Sequence, residues 1–167
     1  KSYIKMLLRV EDVIAKCFFV KKVLIIEGDT EQVVLSETIS RLPENMKSEI
    51  LSDWYFLRAR GKAVIISLIK YLKAMKIDVY VMHDKDQGKK GAEKFNEHIR
   101  QALDNNSHLF VLENCIEDVL GYEPPKSDKP YKAYCYINEN WDKWEDINDE
   151  WRKIIQNIFN GGNKIKF

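Results

Sequence analysis

The sequence predicts an α/β protein: a parallel sheet flanked by helices, with additional helices toward the C-terminal end. Three observations predict it. Short apolar runs alternate with amphipathic stretches of helical period through most of the chain. Gly and Pro residues mark many of the junctions between them. The first three strand candidates are each followed by a helical segment, the order that calls for parallel pairing through crossover helices.

In order along the chain, residues 3–16 (YIKMLLRVEDVIAK) carry apolar side chains at helical spacing and predict an amphipathic helix. The run VLII at 23–26 predicts the first strand; Gly28 supplies a tight turn, and an amphipathic helix follows from about Thr30 and ends near Pro43. Residues 53–58 (DWYFLR) predict a second strand and Gly61 breaks it. Residues 64–75 form the next helix. Residues 77–86 (IDVYVMHDKD) read as a third strand running into acids. Gly88 and Gly91 bracket a lysine-rich loop, and 92–103 read as a helix. Residues 108–113 (HLFVLE) predict the fourth strand, and CIEDVLGY a short turn closed by Gly121 and the Pro124–Pro125 breaker. From about Lys129 onward two helices flank a Trp-rich acidic junction. The division expected is a connecting helix at 1–20, a catalytic core at 21–125 and a C-terminal helical extension at 126–167.

At 167 residues, 45% apolar and 32% charged, the chain is long enough for a substantial core and unlike a disordered segment. Lys plus Arg (27) nearly cancel Asp plus Glu (26), so any affinity for nucleic acid must come from a local patch or a bound metal. No apolar run approaches the roughly 18 residues that would span a bilayer. Three widely spaced cysteines (Cys17, Cys115, Cys135) suit a reducing cytoplasm better than a disulfide framework. A start at Lys1 rather than Met suggests a piece of a longer protein.

Parallel α/β sheets place chemistry at the carboxyl ends of their strands. Here those ends read Glu27, Asp84 with Asp86, and Glu113. Glu31, four residues after Glu27, is either a first-turn acid complementing the helix dipole or a ligand. Asp84 and Asp86, if the chain stays extended, share a face about 6.6 Å apart; otherwise they are a polar turn. Glu117 and Asp118 lie on the next turn, solvated or at the site. Adjacent strand ends are about 5 Å apart. Like charges about 4 Å apart cost on the order of 4 kcal/mol at an effective dielectric near 20. Four or more converging carboxylates therefore call for protons, cations or wider spacing. Oxygen donors without Cys or His favour Mg²⁺ or Mn²⁺ over zinc. His83, on an alternating strand, points away from the aspartates and reads as packing. Two such ions about 3.5–4 Å apart suit phosphoryl transfer, while GxxxxGK[ST] and GxSxG patterns are absent.

The combination FFVKKVLIIEGDTEQVVL, then GK, then VYVMHDKD resembles a Toprim domain, a Rossmann-like fold, over roughly residues 15–120. It looks most like the Toprim half of OLD-family (overcoming lysogenization defect) nucleases, a group that includes Gabija-type phage-defence effectors. The resemblance implies a DNA endonuclease or nickase using two Mg²⁺ or Mn²⁺ ions. It also implies that Glu27, Glu31, Asp84 and Asp86 hold them, with Glu113 first and Glu117 second as the further acid. A late lysine, Lys129 or Lys132, would offset charge at the scissile phosphate beside Glu27 and Asp84. Lys62 of the GK element would contact a phosphate or lie on the surface. The resemblance further implies an ATPase module on the same parent chain as the route for ATP, a homo-oligomer, a helicase or other antiviral-defence partner, DNA as substrate, no membrane, and a cytoplasmic setting.

Lys85, Lys89, Lys90 and Lys94, with Arg58, Arg60 and Lys62, read either as a phosphate groove or as a solvated face. Trp141, Trp144 and Trp151 sit among acids and read as packing or an interface rather than base stacking. Two rival functions remain: a Toprim module with topoisomerase- or primase-like chemistry, for which no nucleophilic Tyr is identified, and a catalytically idle oligomerisation or nucleic-acid-binding module.

Overall fold

A computed structural model describes residues 14–86, 88 and 91–160. Most of the helix expected at 3–16, together with Lys89 and Lys90, lies outside the described residues.

The four expected strands form: β1 (Lys22–Ile26), β2 (Trp54–Arg58), β3 (Asp78–Asp84) and β4 (Leu109–Leu112). They make one sheet in the order β2-β1-β3-β4, and every pair is parallel, with Ile26 opposite both Arg58 and Met82. The helices are α1 (Asp29–Ser40), α2 (Glu44–Asp53), α3 (Lys62–Ala74), α4 (Phe95–Leu103), α5 (Ile116–Leu120), α6 (Lys129–Asn140) and α7 (Asp149–Asn160).

Two expectations change. α1 ends at Ser40, close before Pro43 as expected, but Pro43 does not lead into a loop. It stands at the N-cap of α2, which was not foreseen, because its fixed φ suits a helix entrance as well as an exit. CIEDVLGY contains a short helix rather than a turn, with Gly121 closing it at φ 87, the left-handed conformation that glycine adopts freely.

β1 shows why the sheet is central: all five of its residues are buried, and alternate ones go to opposite layers. Leu24 and Ile26 join Tyr80, Met82 and Leu112 against α1, α2, α5, α6 and α7. Val23 and Ile25 join Val79 and Val81 against α3 and α4. The C-terminal helices are part of the first of these layers. Trp141 and Trp151 are buried within it, and Trp151 Nε1 donates to Thr38 Oγ1 at 2.8 Å. The tryptophans therefore pack, as their acidic surroundings suggested.

The order of the strands positions the site. From β1 the chain crosses to β2 through α1 and α2 on one face. It then passes back over β1 to β3 through α3 on the other face. Neighbouring β1 and β3 thus send their following helices to opposite faces and leave a crevice at their carboxyl ends. Glu27 follows β1 there, and Asp84 ends β3.

Candidate metal centre

The backbone around the crevice brings separated residues together. Gly61, at φ 119, donates its N–H to the Glu27 carbonyl at 3.2 Å, which seats the start of α3 against the end of β1. Ala59 donates to the Ile26 carbonyl at 2.9 Å, and Lys85 to the Leu112 carbonyl at 2.8 Å, so the segments beyond β2 and β3 stay tied to their neighbours. The Glu31 carboxylate accepts from the Gly28 N–H at 3.1 Å. A Cβ at Gly28 would meet that same oxygen at 3.1 Å, so the bare glycine backbone makes this close approach possible.

Glu27, Glu31, Asp84, Asp86 and Glu117 converge here, as their mutual electrostatics record. Burial first, then the charges of Glu31, Glu27, Asp86 and Glu117, push the Asp84 carboxyl up to about 8. Burial raises Glu27 to about 7; Lys62 opposes the rise while Asp86 and Glu31 add to it. Burial also raises Glu31, against hydrogen bonds from its own N–H and that of Gly28. Glu117 is 1% exposed.

Glu113, the preferred further acid, lies apart. Its side chain is 78% exposed and pairs with Lys85 at 2.7 Å. The reason is local: Glu113 leaves the sheet before the chain turns, whereas α5 folds back over the strand ends and carries Glu117 inward. Of the two late lysines, Lys129 reaches the cluster, its Nζ 3.1 Å from Glu117 Oε1; Lys132 is exposed on α6. Asp86 takes the polar-turn alternative. The chain does not stay extended beyond β3, and Asp86 takes φ 54, a left-handed conformation that Asp tolerates. Its carboxylate meets Lys62 Nζ at 2.9 Å.

Lys62 is neither a surface lysine nor an open phosphate contact as it stands. Its side chain is 2% exposed, held by Asp86 and by Asn96 Oδ1 at 3.0 Å. Asn96 was not singled out from the sequence; its place on α4, facing the acidic loop, emerges only from the tertiary fold. His83 is fully buried on the opposite face of β3 from Asp84, as alternation requires. Its Nδ1 lies 2.7 Å from the Asp84 carbonyl, and a carbonyl only accepts, so Nδ1 carries the proton. Burial lowers its pKa.

The other candidate cations are partly engaged. Arg58 pairs with Asp29, Lys85 with Glu113, and Lys94 lies over the Phe95 ring at 5.4 Å. Arg60 is exposed. An open groove of about 470 Å³ lies elsewhere, along β2, lined by Leu51, Trp54, Tyr55 and Phe56 among others and by no acid of the cluster.

The donor set fits hard divalent cations. Every converging ligand is a carboxylate, and Glu27 Oε2 and Asp84 Oδ1 are buried without a hydrogen-bond partner. Glu117 Oε1 has Lys129 within pairing distance, though not aligned as a hydrogen bond. Among the described residues no three acid, His or Cys side chains stand close enough, as placed, to enclose an ion. Two lysines instead hold two of the acids, which is how mutually repelling carboxylates relax.

Comparisons with known proteins give the following similarities. Residues 18–86 match the family described as overcoming lysogenization defect protein-like, TOPRIM domain. An OLD nuclease of Thermus scotoductus (strain ATCC 700910 / SA-01) is 27% identical over 131 residues, 68% of this chain. The match covers 24% of that protein, so the chain spans about a quarter of its relative's length. The C-terminal region of the Xanthomonas campestris pv. campestris OLD protein, a solved structure, matches at 16% identity with a TM-score of 0.46, covering 87% of this chain and 81% of that one.

Proposed function

We propose that this chain, whose residues 18–86 form a Toprim domain of the OLD-like family, is the metal-dependent phosphodiester-hydrolysing part of a DNA nuclease. One observation carries the reading: carboxylates from three separate stretches of sequence meet at the β1–β3 crevice with buried oxygens that no hydrogen bond satisfies. Glu27, Glu31, Asp84, Asp86 and Glu117 are the residues that would hold Mg²⁺ or Mn²⁺, as a pair of ions. Such ions supply Lewis-acid activation of water and neutralise charge on the phosphate. The protein's own part is positional. The sheet fixes Glu27 and Asp84, and the helix turn after Gly28 fixes Glu31. Lys129, 45% exposed beside Glu117, is placed to meet a phosphate at the mouth of the cluster. His83 and the two apolar layers keep water away from the inner side of β3.

The relative named as a nuclease supports hydrolysis as the reaction. DNA as substrate, an ATPase module on the parent chain, a homo-oligomer, an antiviral role with a helicase or similar partner, and a cytoplasmic setting all follow from the family reading. Among the described residues no helix is long and apolar enough to cross a membrane.

Supercoiled plasmid incubated with the protein in Mg²⁺, in Mn²⁺ and in EDTA tests the proposal. Nicking or linearisation is expected with metal only, and Glu27→Ala and Asp84→Ala should each reduce it by at least about 100-fold, more than the 10–100-fold typical of a supporting group. Cutting in EDTA, or wild-type rates in both variants, refutes the reading. A covalent protein–DNA adduct would instead favour topoisomerase-like chemistry. The idle-module alternative draws on the lysine-paired acids, and it is favoured if Mn²⁺ fails to bind even with DNA present.

A further inference from the structure

Lys62 lies in the first turn of α3 and is 4% exposed. A buried ammonium is strongly disfavoured unless it is both paired and hydrogen-bonded. Here it is both, with Asp86 Oδ2 at 2.9 Å and Asn96 Oδ1 at 3.0 Å. Asn96 also donates from Nδ2 to the Lys85 carbonyl at 2.7 Å, so one clasp holds the ammonium and the residue just before Asp86. The left-handed backbone at Asp86 turns its carboxylate out of line with β3 and toward this clasp.

We infer that Lys62 is a resident cation that competes with a divalent ion for Asp86. The inference rests on the metal-binding reading above and divides its ligands into two groups. Glu27, Glu31 and Asp84 take an ion without displacing a lysine, and Glu117 has only to give up its contact with the half-exposed Lys129. Asp86 takes one only when the ammonium is drawn away, because a doubly charged ion beside Lys62 meets twice the repulsion of a singly charged one. Lys62 opens α3, where backbone N–H groups also favour anions. An arriving phosphodiester is therefore the anion able to draw the ammonium off Asp86, so that full metal loading accompanies substrate.

Mn²⁺ titration by calorimetry and by electron paramagnetic resonance, without DNA, tests this in the intact chain, Lys62→Met, Lys62→Gln and Lys62→Met/Asp86→Asn. Removing the ammonium is expected to add a Mn²⁺ equivalent or tighten binding by at least about tenfold. Asp86→Asn should cancel the gain. Lys62→Gln keeps a hydrogen-bond donor for Asn96 and guards against loss of packing. Folded variants that bind Mn²⁺ no better than wild type overturn the inference. So does a variant that stays unfolded in saturating Mn²⁺, since the ion then fails to replace the ammonium; one folded only with Mn²⁺ supports it. The broader proposal fails differently, through wild-type protein that neither binds Mn²⁺ with DNA present nor cuts plasmid.

Discussion

Asp84 sits at the centre of the carboxylate cluster, and its neighbours make it costly to ionise. Its pKa rises to about 8, first through burial and then through Glu31, Glu27, Asp86 and Glu117. A carboxyl raised in the folded state binds its proton more tightly there than in the unfolded chain. Its stabilising contribution is complete below the ordinary carboxylate pKa and is lost as pH climbs through about 8, with Glu27 behaving likewise through about 7. Asp84→Asn, which cannot ionise, should therefore raise the metal-free melting temperature far more at pH 9 than at pH 4. The gain at pH 9 is expected to be on the order of several kcal/mol, since every tenfold tightening of proton binding on folding is worth about 1.4 kcal/mol, read by thermal denaturation in EDTA. Much at this scale was legible beforehand: Glu27 and Asp84 occupy strand ends of a parallel sheet, where side chains have little freedom to go elsewhere. The choice between Glu113 and Glu117 was not, because it depends on α5 folding back. Nor was the burial of Lys62, since a lysine is ordinarily read as solvated. The available signal was its place directly after Gly61, at the same edge of the sheet as the acids.

The elements hold this edge in place through a few connections that bear most of the burden. Thr38 on α1 donates to the Val34 carbonyl at 2.7 Å and accepts from Trp151 Nε1 on α7 at 2.8 Å, joining two helices more than a hundred residues apart. Thr38→Val preserves the shape but strands a buried N–H, and should cost about 1–3 kcal/mol in urea unfolding. Gly61→Ala places a Cβ on a backbone at φ 119, although the space around it is open. The expected cost is about 1–2 kcal/mol, and because that turn seats α3 against Glu27, Mn²⁺ affinity should fall with it. The strands were readable because short apolar runs such as VYVM and LFVL, bounded by polar residues, leave few alternatives. α2 was missed because Pro43 was read as a stop. Its apolar residues Met46 and Ile50, four apart, were the signal that a helix follows. The turn at Asp86 was one of two local alternatives, and its ion pair with Lys62 was not legible because that contact is tertiary.

Across the whole molecule the two layers are unequal. The layer on the α1 side draws Ala133, Ile137, Trp141, Ile147, Trp151, Ile155, Ile158 and Phe159 from beyond residue 126. Trp54 meets Phe159 edge-on at 5.1 Å. Deleting 126–167 is therefore expected to abolish cooperative unfolding and expose apolar surface to a fluorescent dye, although the resemblance ended near residue 120. The tryptophans of the extension were read as packing or an interface, but nothing local marks which sheet face they dock against. Divalent ions act on the same global balance. On the proposed metal-binding reading they would replace protons on the carboxylates, so Mg²⁺ or Mn²⁺ should raise the melting temperature more at pH 8 than at pH 6, with protons released on binding. Lys85 adds a mechanical dimension. Its N–H is fastened to Leu112, its side chain to Glu113 and its carbonyl to Asn96, while its neighbour Asp86 grips Lys62. A load applied to the outer strand β4 is thus transmitted through one residue to the Lys62–Asp86 pair, making that rim of the sheet a lever on the carboxylate crevice.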